Sequence, residues 1–539
     1  MKTLTIEVGS HFCLKKADVK AAGLLRELRE AFEHDNPDFW KKTKMGFWAG
    51  ETERHLTLLR VDDSSVQVPR GGWAKLKRML ERAEVAWQFV DGTVSGTGPL
   101  GLTYRTPGEW ALGPDQRSAV KALVRGRQGI LLGVCASGKT EVLLSAISQI
   151  DERTLVVVHT ERIMSNWVRT AAERYGIRER DVGVLHGKEK RERNLTVGMV
   201  RTVLNRLRAD PKWAGTWGCV VLDEAHHCPA STFSELISAF PARFRLAATA
   251  TPKRKDGKEP LFYDAFGVES VPKRGGGSTW GPRTLFEIRD ADLDHYGRIV
   301  PVDVVVVPTD FWFDLNLEEY LEDEGWEREE RETGAASVRR WAKQVRFSGS
   351  LNTYADMLDG IVKNDQRRAR VLAYLLPEIR AGRTCLLLAD RREMCLEIQA
   401  WLKRRGVDAG RLMGGLDSKD QDRTADGLED GTLRVAVGTT VADEGMNIKR
   451  LDRGFGLTPA ASNAGRLTQQ TGRFKRRHPD KVDAVYFYFW DRRIRGLRGH
   501  ARAILAAIQA PHRVWFSTEP GERVPLTQEL LRQLEEVRK

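Results

Sequence analysis

Cysteine is scarce in this chain of 539 residues, which holds six cysteines and no C-x-x-C pair. This spacing argues against a zinc ribbon and against a disulfide framework, and it favours reduced thiols in the cytoplasm. His227 and Cys228 are neighbours, but no other residue at metal-binding spacing accompanies them. We therefore interpret them as structural residues rather than metal ligands.

Long apolar runs are missing as well. None approaches the roughly 20 residues that a membrane-spanning helix needs, and the opening sequence MKTLTIEVGSHF contains no signal-peptide core. The chain also has no internal repeat and no low-complexity segment. We expect a globular protein of three or four domains with no membrane partner.

Acidic residues are outnumbered by basic ones. The chain has 74 Asp and Glu against 87 Lys and Arg, which gives a formal net charge of +13. A basic surplus of this kind favours a polyanionic partner, most simply nucleic acid.

Short apolar strands alternate with helical patterns in two blocks, residues 112–308 and 348–496. Such alternation predicts two parallel sheets, each with helices on both faces. Residues 1–111 mix strand-like and helical patterns and predict an N-terminal α+β domain. Residues 309–347 are highly charged and predict a helical insertion, and residues 497–539 predict a helical tail.

The segment GVCASGKT, Gly133 to Thr140, follows an apolar run and precedes a helical pattern. It fits G-x-x-x-x-G-K-[ST], in which glycines let the backbone amides face phosphate oxygens at a helix N-terminus. Lys139 would reach the β- and γ-phosphates, and the Thr140 hydroxyl would hold Mg²⁺. We predict ATP and Mg²⁺ as cofactors, with Ser137 and Gly138 also in the binding loop.

A second apolar run ends in DEAH, Asp223 to His226. Asp223 would bind Mg²⁺ through water, and Glu224 would orient and deprotonate the attacking water. Either motif alone could be fortuitous, but the two in this order predict ATP hydrolysis.

The second block has no phosphate loop, but it contains the basic segment QQTGRFKRR at residues 469–477. An arginine that reaches a nucleotide across a domain interface contributes about 10³ to 10⁵ in rate in other enzymes. We predict that Arg473 and Arg476 act in this way, so that hydrolysis depends on closure of the two domains.

The order of these motifs resembles that of superfamily 2 helicases and translocases, over about Gly113 to Arg495. The resemblance implies an α/β fold with two tandem RecA-like parallel-sheet domains, an N-terminal α+β accessory domain and a helical C-terminal tail. Within the superfamily, ATATPKRKDG and YGRIVPVDVVVVP are similar to the XPB-like and UvsW-like DNA-repair branch of phage or bacterial type. This branch implies the cytoplasm of a prokaryotic or phage-infected cell.

The resemblance also assigns roles outside the two ATP motifs. Residues expected at the nucleotide, with Gln116 reading adenine, are Gln116, Gly445 and Gln469. Residues expected to contact nucleic acid are Thr160, Thr202, Thr439 and Thr440. Residues expected to couple hydrolysis to strand binding are His226, Thr249 and Thr251.

Three positions depart from the family pattern. Asn447 stands where Asp is usual, which weakens any expectation of a charged contact to the ribose there. Cys135 and Ala136 occupy phosphate-loop positions where Gly or Thr is frequent. None of these changes removes a group that the chemistry needs.

The segment FWKKTKMGFW, residues 39–48, interleaves aromatic rings with lysines. One interpretation is a platform for stacking bases, which contributes roughly 1–3 kcal/mol per base in other proteins. The other is a set of core aromatics beside a solvated lysine face, and both stay open at this point.

The sequence thus predicts an ATP-dependent DNA helicase or translocase that acts in repair, recombination or replication. Its expected partners are single-stranded, forked or branched DNA, and a nuclease or recombination protein. Three alternatives remain: the motor subunit of a restriction or phage-defence complex, an ATP-switched nucleic-acid clamp that moves nothing, and an RNA helicase.

Overall fold

The computed structural model describes most of the chain, in two units, Met1–Asp292 and Leu293–Lys539. The described residues are 3–44, 48, 50–96, 100–102, 112–187, 189–224, 230–250, 256–272, 278–311, 357–358, 360–361, 364–439, 448–459, 464–492, 494 and 497–536. No helix among them is long and apolar enough to cross a membrane.

The first unit begins with an α+β region, as expected. Its elements are β1 Leu4–Val8, β2 His11–Lys15, α1 Lys16–Ala21, α2 Leu25–Phe32, β3 Glu33–Asp35, α3 Pro37–Lys44, β4 His55–Thr57, β5 Arg60–Val61, β6 Ser65–Pro69, α4 Trp73–Arg82 and β7 Trp87–Asp91. Five strands form a sheet in the order β5-β6-β2-β1-β7, and β3 pairs with β4. The helical pattern is divided between α1 and α2 because Gly23 adopts a left-handed φ of 70°.

The larger part of the first unit is a sheet of eight strands with helices between them. Its elements are α5 Pro114–Gly126, β8 Gln128–Gly133, α6 Lys139–Ile150, β9 Thr154–Val158, α7 Glu161–Tyr175, β10 Gly183–His186, β11 Glu189–Arg191, β12 Leu195–Met199, α8 Val200–Ala209, β13 Cys219–Asp223, α9 Ala230–Ala239, β14 Phe244–Thr249, α10 Glu259–Phe266, β15 Val268–Pro272, β16 Ser278–Pro282, β17 Thr284–Ile288 and α11 Asp290–His295.

The strand order of this sheet decides where the site lies. The order is β11-β10-β12-β9-β13-β14-β8-β17, and every pair except β10–β11 is parallel. The central strands β9, β13 and β14 are buried along their whole length, as expected for a parallel sheet covered on both faces. Because β8, β9, β13 and β14 are parallel neighbours, the segments that follow them meet at one edge of the sheet.

Buried polar contacts join the N-terminal region to this sheet. The Arg70 guanidinium donates to the carbonyls of Ala242 (2.6 Å) and Arg243 (2.8 Å). The buried Arg245 donates to the carbonyl of Ser10 at 2.8 Å. A Cβ added at Gly71 would lie 2.5 Å from the carbonyl oxygen of Asp264, so only glycine permits this close approach to α10.

The second unit holds another eight-stranded sheet. Its elements are β18 Val302–Pro308, α12 Asp365–Arg380, β19 Cys385–Leu388, α13 Arg392–Lys403, β20 Gly410–Leu412, α14 Ser418–Asp430, β21 Val435–Gly438, β22 Arg453–Gly456, α15 Ala464–Gly472, β23 Ala484–Trp490, α16 His500–Ala507, β24 Arg513–Phe516, β25 Val524–Pro525 and α17 Gln528–Glu536. The order is β20-β21-β19-β22-β23-β18-β24-β25, parallel except for β24–β25.

Two expected boundaries differ from this arrangement. The alternation of strands and helices predicts β18 at the end of the first domain, but β18 pairs with β23 and β24 inside the second sheet. The residues after 497 were expected to be helical, yet they add β24 and β25 to that sheet. Both strands are short apolar runs whose partners lie far away in the chain, so local pattern does not reveal which sheet they join. Of the predicted insertion at 309–347, only residues 309–311 are described.

Candidate functional site

The phosphate-loop segment connects β8 to α6, as predicted. Ala136 and Gly138 have left-handed φ values of 68° and 74°. A Cβ at Gly133 would lie 2.6 Å from Ser137 Oγ, and one at Gly138 would collide with Gln116 Nε2. The loop thus needs glycine at both motif positions, whereas Ala136 accepts a conformation that costs an L-residue roughly 1–2 kcal/mol.

Lys139 is the first residue of α6 and points back at the loop. Its ammonium donates to the carbonyl of Gly133 at 2.9 Å and lies 3.4 Å from the Glu224 carboxylate. Burial, the largest influence, lowers the pKa of Lys139, but the charges of Glu224 and Asp223 outweigh it and leave the pKa raised. The side chain therefore carries a positive charge where phosphate oxygens would bind.

Asp223 ends β13 and is buried. Its Oδ2 accepts a hydrogen bond from the indole N–H of Trp167 at 2.8 Å, and its Oδ1 accepts one from the backbone N–H of Glu224 at 3.0 Å. Burial, followed by the charge of Glu224, raises the pKa of Asp223 to about 6. Glu224 has a left-handed φ of 47°, a strained conformation of the kind that clusters at functional sites.

Gln116, in the first turn of α5, joins that helix to the loop. Its Oε1 accepts from the backbone N–H of Gly113 at 3.2 Å, and its Nε2 donates to the carbonyl of Ser137 at 2.9 Å. Its predicted role in reading adenine stays a prediction. Thr140 follows Lys139 in α6, so the predicted Mg²⁺ ligand lies in the helix turn next to the loop.

The predicted nucleic-acid residues of the first unit follow neighbouring strands. Thr160 comes after β9 and caps α7, since its hydroxyl accepts from the backbone N–H of Ile163 at 3.3 Å. Thr202 lies in the first turn of α8, after β12. Thr249, which is predicted to couple hydrolysis to strand binding, ends β14 and is fully buried. Thr160 and Thr202 therefore share the carboxyl edge of the sheet with the phosphate loop, and their contact roles stay predictions.

The predicted residues of the second unit are described in part. Thr439 follows β21, is buried, and donates its backbone N–H to the carbonyl of Leu412 at 3.1 Å. Gln469 lies in α15, and Arg473 follows it as a buried residue. Arg476 forms an isolated bridge with Ile299.

Four predicted residues lie outside the described part of the chain: His226, Thr251, Thr440 and Gly445. His227, Cys228 and Asn447 lie outside it as well. Within the described ranges, no group of three or more His, Cys, Asp and Glu side chains could hold a metal ion.

Two residues that contact predicted site residues of their own unit had no role predicted from the sequence. Trp167 lies in the VHTERIMSNW segment but had no assigned role, because its contact with Asp223 spans 56 residues. Lys481 donates to the carbonyls of Arg476 (2.8 Å) and Lys449 (3.1 Å). Burial lowers the pKa of Lys481 to about 7. A lone lysine or tryptophan gives no signal of such contacts in the sequence.

The aromatic and basic segment at 39–48 does not contribute to the core where it is described. None of the residues of α3 is buried. Trp48 is 90% exposed, and Trp40 faces the Arg54 guanidinium at 5.2 Å. An exposed Trp48 and the half-buried rings of Phe39 and Trp40, beside lysines 41, 42 and 44, fit the stacking interpretation better than the core interpretation.

Two family models match the chain in the expected order. "Type III restriction enzyme, res subunit" matches residues 109–254, and "Helicase conserved C-terminal domain" matches residues 367–478. The first covers the phosphate loop and DEAH, and the second covers Gln469, Arg473 and Arg476.

Curated relatives agree with these matches. The chain is 26% identical to the DNA 3'-5' helicase XPB of Mycobacterium tuberculosis, over 46% of this chain and 43% of that protein. It is 22% identical to the probable helicase D10 of Escherichia phage T5, over 66% of each. The matched region thus spans less than two thirds of the length of these relatives.

Solved structures bear on the fold. Saccharomyces cerevisiae Dbp5 bound to RNA and ADP BeF3 matches 80% of this chain and 95% of its own length, with a TM-score of 0.50 and 13% identity. Together with the two sheets, this match confirms the expected pair of RecA-like domains.

Proposed function

We propose that this chain, a superfamily 2 helicase of the XPB-like type, couples ATP hydrolysis to movement along DNA or to remodelling of DNA. The observation that carries the proposal is the convergence of Lys139, Asp223 and Glu224 at one edge of the first sheet, beside a phosphate loop. Repair, recombination and replication are the proposed settings, in the cytoplasm of a prokaryotic or phage-infected cell.

The residues of the loop fit ATP with Mg²⁺. A side chain at Gly133 or Gly138 would collide with the Ser137 or Gln116 side chain, and the Lys139 charge lies at the start of a helix. When bound, ATP with Mg²⁺ supplies the phosphoanhydride bond that is hydrolysed. Lys139 would bind phosphate oxygens, while Thr140 and Asp223 would hold the metal, Asp223 through water.

Glu224 would orient the attacking water and take its proton. Its carboxylate lies 3.4 Å from the Lys139 ammonium and adjoins the Asp223 carboxylate in the chain. A positioned general base of this kind contributes about 10²- to 10⁴-fold in rate. Replacement of Glu224 by Gln keeps the size of the side chain but removes its basicity.

The second unit would supply Gln469, Arg473 and Arg476 to the nucleotide. Stabilisation of the transferring phosphoryl group would fall to the two arginines. Lys481 holds the backbone of Arg476 through its 2.8 Å hydrogen bond, which limits where that residue can move. Hydrolysis would then require both units, and this requirement could convert turnover into motion.

DNA is the proposed polymer because the Mycobacterium tuberculosis relative is named a DNA 3'-5' helicase. Thr160 and Thr202 would contact its backbone in the first unit, and Thr439 in the second. The exposed Trp48 and the half-buried rings of α3 would stack on bases. Single-stranded, forked and branched DNA are the proposed substrates, and a nuclease or recombination protein is the proposed protein partner.

The match of residues 109–254 to a restriction-enzyme subunit favours a second candidate function, the motor of a restriction or phage-defence complex. Such a subunit would hydrolyse ATP poorly alone and would co-purify with a partner. A motor that acts alone would displace strands without one.

Steady-state ATPase of the wild type and Glu224→Gln tests the proposal, with no polymer, single-stranded DNA, duplex, forked DNA and RNA in parallel. We expect stimulation by DNA that falls at least about 100-fold in the variant, while nucleotide binding persists. If only RNA stimulates the ATPase activity, RNA and not DNA is the substrate. No stimulation by any polymer would contradict a motor that acts alone.

A further inference from the structure

Trp167 is the feature of the nucleotide site that the proposed mechanism does not use. It is fully buried, and its indole N–H donates to Asp223 Oδ2 at 2.8 Å. Asp223 is itself buried, and its other oxygen accepts the backbone N–H of Glu224. Among the described side chains, the indole is therefore the hydrogen-bond donor that restricts the rotation of this carboxylate.

The helix that carries Trp167 is joined to the site at two further points. Arg174 of α7 pairs with Glu141 of α6 at 2.7 Å, and Tyr175 donates to Ser145 of α6 at 3.0 Å. Since α6 begins at Lys139, the C-terminal half of α7 is tied to the helix that follows the phosphate loop. The N-terminal end of α7 is capped by Thr160, the proposed DNA contact.

We propose that Trp167 is a positioning residue that orients the Asp223 carboxylate and makes its orientation depend on the position of α7. This inference rests on the proposed function, in which Asp223 holds the metal and Thr160 contacts DNA. A shift of α7 moves the indole donor and with it Asp223 Oδ2. DNA that binds at Thr160 would thereby change the orientation of Asp223 through a shift of α7.

The hydrogen bond to a charged acceptor is the interaction at stake, and such bonds are stronger than neutral ones. Without the indole donor, the Asp223 carboxylate keeps its place at the end of β13 but can rotate. The reduced preorganisation weakens metal-dependent binding of the nucleotide and leaves metal-independent binding, which depends on the loop and Lys139, as it was.

The test compares Trp167→Phe with the wild type in equilibrium binding of a fluorescent ATP analogue, with Mg²⁺ and with EDTA. We expect equal affinity in EDTA and a loss of about tenfold in the extra affinity that Mg²⁺ provides. Steady-state kinetics with DNA should show a lower kcat at an unchanged KM for DNA. If Mg²⁺ raises the affinity of Trp167→Phe for the ATP analogue by the same factor as in the wild type, the inference is overturned.

Trp217→Phe is the matched control. Trp217 is another fully buried tryptophan of the first unit, and its indole N–H has no hydrogen-bond partner among the described residues. Trp217→Phe loses the same ring volume but no hydrogen bond among the described residues. Mg²⁺ should therefore raise its affinity for the ATP analogue by the same factor as in the wild type. An equal loss in both variants would assign the effect to packing and overturn the inference.

A second substitution covers the case in which Trp167→Phe does not fold. Benzothienylalanine at position 167 keeps the bicyclic shape and replaces the N–H by sulfur, so only the donor is lost. We expect the same loss of about tenfold in the extra affinity that Mg²⁺ provides. A Mg²⁺ effect as large as that of the wild type again overturns the inference. Failure of the proposed function looks different, because the wild type itself would then show no Mg²⁺-dependent binding of the nucleotide.

Discussion

The buried ion pair between Lys75 and Asp264 offers a quantitative test of how the N-terminal region is held. Lys75 Nζ lies 2.6 Å from Asp264 Oδ1, and Asp264 is fully buried in α10. His34 contacts the other carboxylate oxygen at 2.6 Å, and Lys75 also donates to the carbonyl of Ala31 at 2.9 Å. One carboxylate therefore joins α4 and β3 of the N-terminal region to α10.

Asp264→Leu would leave the Lys75 ammonium buried without its counter-charge. Removal of one partner of a buried pair costs roughly 3–5 kcal/mol, whereas replacement of both by apolar groups is often neutral. We expect Asp264→Leu to destabilise the first unit by about 4 kcal/mol. The double variant Lys75→Met, Asp264→Leu should recover at least about 2 kcal/mol of that loss.

Urea unfolding of the full chain, monitored by hydrogen exchange in peptides from α4 and α10, measures the loss in the single variant and the recovery in the double variant. At a slope of about 3 kcal/mol per molar urea, a loss of about 4 kcal/mol should lower the midpoint of the first unit by roughly 1.3 M. Lys75→Met alone completes the double-mutant cycle. Additive effects of the two substitutions would refute the reasoning, because they would mean that the pair contributes no coupling.

Two further predictions concern other parts of the chain. Arg476→Ala should bind the ATP analogue with wild-type affinity yet lose at least about 10³-fold in DNA-stimulated kcat, and wild-type turnover would refute the requirement for the second unit. His11 should make the first unit acid-sensitive, because burial, followed by the charges of Arg245 and Arg60, lowers its pKa to about 3 from 6.5. Its neutral form adds stability that is fully present above pH 6.5 and is lost as pH falls towards 3, at about 1.4 kcal/mol per pH unit. His11→Gln should remove most of that slope in urea unfolding between pH 6.5 and 4.5, and an unchanged slope would contradict the assignment.

The place of the candidate nucleotide site in the fold was predictable because its parts are local. The phosphate loop is a single strand-loop-helix unit whose glycines, lysine and threonine lie within eight residues. DEAH follows a buried strand directly, so Asp223 and Glu224 had to lie at the end of β13. The central strands β9, β13 and β14 fit the predicted alternation, because a strand buried on both faces is a continuous apolar run.

The tertiary structure alone decided which distant residues meet. Trp167 reaches Asp223 because β9 lies beside β13, and Lys481 reaches the carbonyl of Lys449 across 32 residues. β18 looked like the last strand of the first domain, yet it lies between β23 and β24. Hydrophobic periodicity specifies that a segment is a buried strand, but the pairing of strands is a competition among alternatives of similar local pattern. Complementary packing across the whole sheet resolves that competition, and short motifs carry no record of it.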